Sequence, residues 1–213
     1  MIGARISGHL PYQPALDGVR ALAVAAVLVF HGGVAAVSGG FLGVDAFFVL
    51  SGYLITALLL VEHRRTGTVN LVAFWGRRAR RLLPALLLVL ATVVTVSRWL
   101  LPAEELAALR ADALAAVAYV ANWRMTYRGG GYFAETAAPS PLQHTWSLGI
   151  EEQFYLVWPL VLCAVLWGRR PRTSLQPRLW LLLGICLGGA AASTAALAAT
   201  YTVDDPGRAY YGT

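Results

Sequence analysis

Five apolar runs decide what this chain can become. Residues 15–32, 39–60, 82–101, 142–167 and 179–201 each approach the roughly 20 residues a helix needs to cross a hydrocarbon layer. Backbone in lipid must satisfy its own N–H and C=O groups, so the runs predict crossing helices and an all-α, polytopic membrane fold. A composition of 58% hydrophobic residues with a mean hydropathy of +0.60 excludes an ordinary soluble domain. The net charge of +6 would suit nucleic acid, but the basic residues, all arginine, gather between the apolar runs. That is the pattern of orientation charge, and it excludes nucleic acid as a partner.

The arginines also set the sidedness. Arg64, Arg65, Arg77, Arg78, Arg80 and Arg81 lie between the second and third runs, and Arg169, Arg170, Arg172 and Arg178 between the last two. The positive-inside tendency places both connections, and with them the N-terminal segment 1–14, in the cytoplasm. Residues 15–213 then form one membrane domain. The segment 103–120 carries Glu104, Glu105, Arg110 and Asp112, and reads as an amphipathic or partly inserted helix on the outer side. Residues 122–143, with Gly129–Gly131 at the turn, read as an outer loop. Pro84 is expected in the first turn of the third span, where a missing N–H does little harm. Pro159 falls inside the fourth and predicts a kink.

Ionisable groups at membrane depth are costly, so those present demand a reason. Arg20 and His31 bracket the first run. On one helix they would stand roughly 16 Å apart, one toward each face of the bilayer. Asp17 falls where the helix enters the membrane, and its charge suits the dipole there. Arg20 marks the cytoplasmic boundary, or pairs with an acidic partner or anionic ligand. His31 precedes Gly32-Gly33, which permit close approach. A neutral imidazole there can take a proton from an attacking hydroxyl, or simply bond a neighbouring helix. Asp45, in the second run, can orient His31 or bind Arg20. Ser51 and Gly52 add a small polar face beside Tyr53. Arg77, Arg78, Arg80 and Arg81 offer guanidinium forks that suit phosphates, whether of a nucleotide or of lipid headgroups. The densest polar stretch of any span is 140–155, with Glu151 and Glu152 adjacent, together with Trp146, Ser147 and Tyr155. Trp146, Tyr155 and Trp158 suit either an interfacial belt or a sugar-binding surface. No zinc-ligand spacing joins His9, His31, His63 and His144, and Cys163 and Cys186 sit in apolar runs as small hydrophobes.

In order along the chain stand Leu16-Asp17-Gly18-Val19-Arg20-Ala21-Leu22, an arginine followed after ten residues by His31, and Phe47-Phe48-Val49-Leu50-Ser51-Gly52-Tyr53. Arg77 to Pro84 follows, with Arg78 and Arg81 as an Arg-x-x-Arg element, and then His144 to Tyr155 with its Trp-Ser-Leu, Glu and Phe-Tyr. Together these resemble the membrane-bound acyltransferase 3 family, bacterial O-acyltransferases of surface polysaccharides. The resemblance runs from Gln13 to Thr213.

It implies transfer of an acyl group, commonly acetyl, from acyl-coenzyme A as donor substrate to a hydroxyl of a cell-envelope glycan or glycoside, with no permanently bound cofactor. It implies His31 as catalytic base, with Arg20 next in rank and Glu151 ahead of Glu152. Asp45 competes to orient the histidine, and the arginines of 77–81 hold the donor. Ser51, Tyr53, Trp146, Ser147, Glu152 and Tyr155 then serve substrate or packing. Members carry more spans than the five read here, and residues 205–213 resemble the start of a further motif, so the chain reads as the N-terminal portion of an incomplete acyltransferase domain. A transporter or flippase subunit for a lipid-linked sugar would use the same intramembrane charges as a relay, and an inactive truncated module is the third alternative.

Overall fold

A computed structural model of the chain describes residues 12–128, 140–167 and 176–201. Every regular element among them is helical. They are α1 (Pro14–His31), a 3₁₀ segment (Ala35–Leu42), α2 (Gly43–Thr66), α3 (Leu71–Leu100), α4 (Ala103–Val117), α5 (Ala121–Arg128), α6 (Thr145–Leu166) and α7 (Gln176–Thr200). Five stretches are long and apolar enough to cross a membrane: Pro14–His31, Ala36–Thr66, Leu71–Leu100, Thr145–Leu166 and Gln176–Thr200. At 15 residues, α4 is not among them.

The helices group into two units. The first comprises Met1–Val69 and Trp158–Thr173. In it, Pro14 opens α1 where its absent N–H is harmless. Gly33, at φ +72°, closes the helix: its N–H reaches Phe30 and the N–H of Val34 reaches Val29, the paired bonds of a Schellman cap. The chain then doubles back. Gly40 packs against Ala26 and Phe30, and Gly43 against Ala23 and Val27. The 3₁₀ segment therefore descends along α1, and α2 begins beside the middle of α1. Irregular backbone is tolerated at membrane depth only when covered by protein, and here α1 covers it. The Nε1–H of Trp158 donates to Thr56 at 2.8 Å.

The second unit comprises Asn70–Val157 and Ser174–Thr213. Asn70 caps α3 by accepting from the N–H of Ala73. The α3 helix starts at Leu71 rather than near 82, so Arg77 to Arg81 ride on the helix itself and the α2–α3 connection shrinks to residues 67–70. Pro84 consequently lies well inside α3, not in its first turn. Hydropathy marks only the apolar part of such a helix, whereas its backbone bonds continue through charged residues. Leu86 and Leu90 of α3, Leu109 and Ala116 of α4, and Leu142 form the apolar core of this unit.

Part of the expected outer loop is helix α5, because its polar residues lack the apolar period that marks a helix. Residues 129–139, including Gly129–Gly131, lie outside the described residues, as do residues 1–11, 168–175 and 202–213.

Candidate functional site

In the first unit, His31 is the last residue of α1. Its Nδ1 lies 2.8 Å from the carbonyl oxygen of Val27. A carbonyl can only accept, so Nδ1 carries the hydrogen and the lone pair resides on Nε2. The ring also meets Phe30 edge-on at 5.3 Å, and Phe30 meets Phe41 of the 3₁₀ segment at 5.7 Å.

Arg20 sits near the opposite end of α1, with its Nη1 3.4 Å from Asp17. Asp17 also accepts a hydrogen bond from the Tyr12 hydroxyl, and this bond together with the carboxylate charge pushes the phenol up from its ordinary value. Tyr12, Asp17, Arg20 and Tyr53 line one concavity of about 230 Å³. Asp45 occupies the first turn of α2, where a negative charge suits the helix dipole. Among the described residues it bonds neither Arg20 nor His31. Ser51 is half-buried two turns further along α2.

In the second unit, two bonds fix the register of α3 against α6. Trp75 donates from Nε1 to the carbonyl of Tyr155 at 3.0 Å, and Arg78 donates from Nη2 to Glu152 at 2.8 Å. The Arg78 guanidinium also lies over the Tyr155 ring, its carbon 3.3 Å from the centroid. The Tyr155 hydroxyl in turn donates to Glu151. Arg78, Glu152, Tyr155 and Glu151 thus form one linked group. Arg77, Arg80 and Arg81 are exposed on α3, and the Nε of Arg80 donates to the carbonyl of Gly76. Trp146 and Tyr155 are only 4% and 3% exposed. Ser147 donates to the carbonyl of His144.

Beside this group the α4–α5 corner is tied to α6 by Gln153, whose amide donates to the carbonyl of Tyr119 at 2.7 Å and to Asn122 at 2.9 Å. Tyr119 occupies the left-handed position, φ +56°, of a Schellman cap, where glycine is the usual occupant. Asp112, 3% exposed, binds Nε of Arg124 at 2.5 Å. Trp123 and Tyr127 stack at 6.4 Å with 23° between their planes, and with Arg124 they border an open concavity of about 380 Å³. In the sequence, the spacing of Trp123 and Tyr127, one helical turn, is the signal that unites them.

The sequence pattern of an acyltransferase domain matches residues 13–211. The peptidoglycan O-acetyltransferase OatA of Listeria monocytogenes is 45% identical over 204 residues, covering 95% of this chain and 31% of that protein. An O-acetyltransferase OatA of Staphylococcus aureus is 43% identical over 202 residues, covering 95% of this chain and 32% of its own length. A putative O-acetyltransferase of the same species is 41% identical, with the same coverage. The chain spans about a third of the length of these curated relatives. No solved structure matches it. With nearly all of its residues inside the family pattern, the chain belongs to the membrane-bound acyltransferase 3 family.

Proposed function

We propose that this chain is the membrane-embedded N-terminal part of an O-acyltransferase that moves an acetyl group from acetyl-coenzyme A to a hydroxyl of a cell-envelope glycan. The observation that carries the reading is the 2.8 Å contact of His31 Nδ1 with the Val27 carbonyl oxygen. With its hydrogen on Nδ1 and held by Val27, the ring presents the lone pair of Nε2, as a general base requires. In the reaction, Nε2 takes the acceptor's hydroxyl proton as the oxygen bonds to the thioester carbon. The tetrahedral intermediate collapses with cleavage of the carbon–sulfur bond, and the imidazolium returns the proton to the departing thiolate.

The exposed guanidiniums of Arg77, Arg80 and Arg81 take the donor's phosphates. Arg20, steadied by Asp17, supplies a cation at the concavity it shares with Tyr53. Glu151 accepts hydrogen bonds from the acceptor's hydroxyls, with Glu152 and Asp45 as further carboxylates of the reaction. The N-terminus lies in the cytoplasm of a bacterial cell, on the side of the arginine-rich helix ends.

The test uses the full-length protein in proteoliposomes with radiolabelled acetyl-coenzyme A and a soluble glycan. His31→Ala is expected to insert and melt like the wild type and to lose acetyl transfer. Wild-type turnover by that variant would overturn the assignment.

A further inference from the structure

We propose that Arg78 is a positioning residue that sets the Glu151–Glu152 pair, and that the donor's phosphates go to its neighbours instead. The proposal rests on the transferase reading above. Adjacent residues on a helix point about 100° apart, so two neighbouring carboxylates cannot share one partner in the same way. The structure solves this with one guanidinium and one phenol. Arg78 binds Glu152 directly through Nη2, and its flat face covers the Tyr155 ring whose hydroxyl donates to Glu151. One carboxylate is therefore set by charge, and the other through the ring that Arg78 holds down.

The surroundings of Arg78 differ from those of the other arginines on α3. Its side chain is 24% exposed and its partner Glu152 is 14% exposed, whereas Arg77, Arg80 and Arg81 are exposed. Its Nε is buried and makes no hydrogen bond. A guanidinium so committed can bind a diphosphate only by abandoning Glu152 at a site with little water. Arg77 and Arg81 are one turn apart on α3 and carry no such commitment in their exposed positions. The flat stack also explains why arginine is needed: lysine would keep the charge for Glu152 but has no planar face for the ring.

Steady-state kinetics of the full-length protein in proteoliposomes decide the matter, with acetyl-coenzyme A varied. Arg78→Lys is expected to melt close to the wild type and to lower kcat about tenfold with an unchanged KM for the donor. Tyr155→Phe, which removes the hydroxyl that donates to Glu151, lowers kcat in the same way. Arg81→Gln instead raises the donor KM about tenfold. A rise in donor KM for Arg78→Lys matching that of Arg81→Gln, or an unaltered kcat for Tyr155→Phe, would overturn the proposal. If the wild type transfers no acetyl group, the transferase reading falls by itself. A thermal double-mutant cycle across Arg78→Gln and Glu152→Gln then still reports the link: non-additive melting temperatures uphold it and additive ones remove it.

Discussion

Gly43 meets the backbone of Ala23 so closely that a Cβ placed on it would stand 2.5 Å from the Ala23 carbonyl oxygen and 2.8 Å from a methyl of Val27. The obstruction is backbone, so it cannot swing aside. Gly43→Ala is expected to cost about 1–3 kcal/mol as overpacking. It should also lift the 3₁₀ segment from α1, separating Phe41 from Phe30. Thermal melting in detergent checks the first expectation, and a disulfide trap between cysteines placed at Phe41 and Phe30 checks the second. Gly18, inside α1 with open space where its Cβ would stand, is the control: Gly18→Ala should leave the disulfide trap unchanged and, as alanine does in a helix, hold or raise the melting temperature.

That close approach bears on how much of the fold the sequence discloses. Hydropathy finds each crossing helix, because length and apolar content are the property lipid selects. It cannot separate the 3₁₀ segment Ala35–Leu42 from α2, since one apolar run crosses their junction and what divides them is the contact of Gly40 and Gly43 with α1. The arginines on α3 were legible as a basic patch but not as part of the helix, because charge ends a hydropathy window without ending backbone hydrogen bonds. At the site, His31 and Arg20 are legible from their cost at membrane depth. The pairing of Arg78 with Glu152 across 74 positions is not, because only the register of α3 on α6 creates it.

Asp112 and Arg124 form a partly buried ion pair, with the carboxylate 3% and the guanidinium side chain 32% exposed. Asp112→Asn strands a guanidinium that retains some water. The expected loss is about 2–3 kcal/mol, below the 3–5 kcal/mol seen when a wholly buried pair is broken. Replacing both, as Asp112→Leu with Arg124→Met, should recover most of the loss, because apolar side chains of similar volume avoid the desolvation of two charges. Melting temperatures of the two single variants and the double variant provide the check.

Tyr119 predicts an alkaline signature. Burial pushes its phenol above the ordinary value of 10.0, the charge of Glu152 pushes it further, and Arg78 opposes. The folded protein therefore holds the proton more tightly than the unfolded chain. That contribution is complete below pH 10 and is lost as the pH climbs from there through the raised value. Tyr119→Phe keeps the left-handed backbone and the ring but removes the ionisation. Its melting temperature should fall less steeply above pH 10 than that of the wild type, with the two curves parallel near neutrality. Phenolate absorbance should likewise lose part of its late-titrating component, with the share of Tyr12 remaining.

The hydrogen bond from His31 to Val27 fixes a tautomer that can be observed directly. A bond to a carbonyl requires the hydrogen on Nδ1, so nitrogen-15 spectra of labelled protein in lipid, with the imidazole neutral, should show Nδ1 of His31 as the hydrogen-bearing nitrogen and Nε2 as the bare one. His31→Gln supplies the contrast, since its amide keeps polarity at the end of α1 but has no nitrogen lone pair able to take a proton. It should melt near the wild type and transfer no acetyl group. The opposite tautomer at His31 would place a hydrogen where the base needs its lone pair, and would remove the observation on which the transferase mechanism stands.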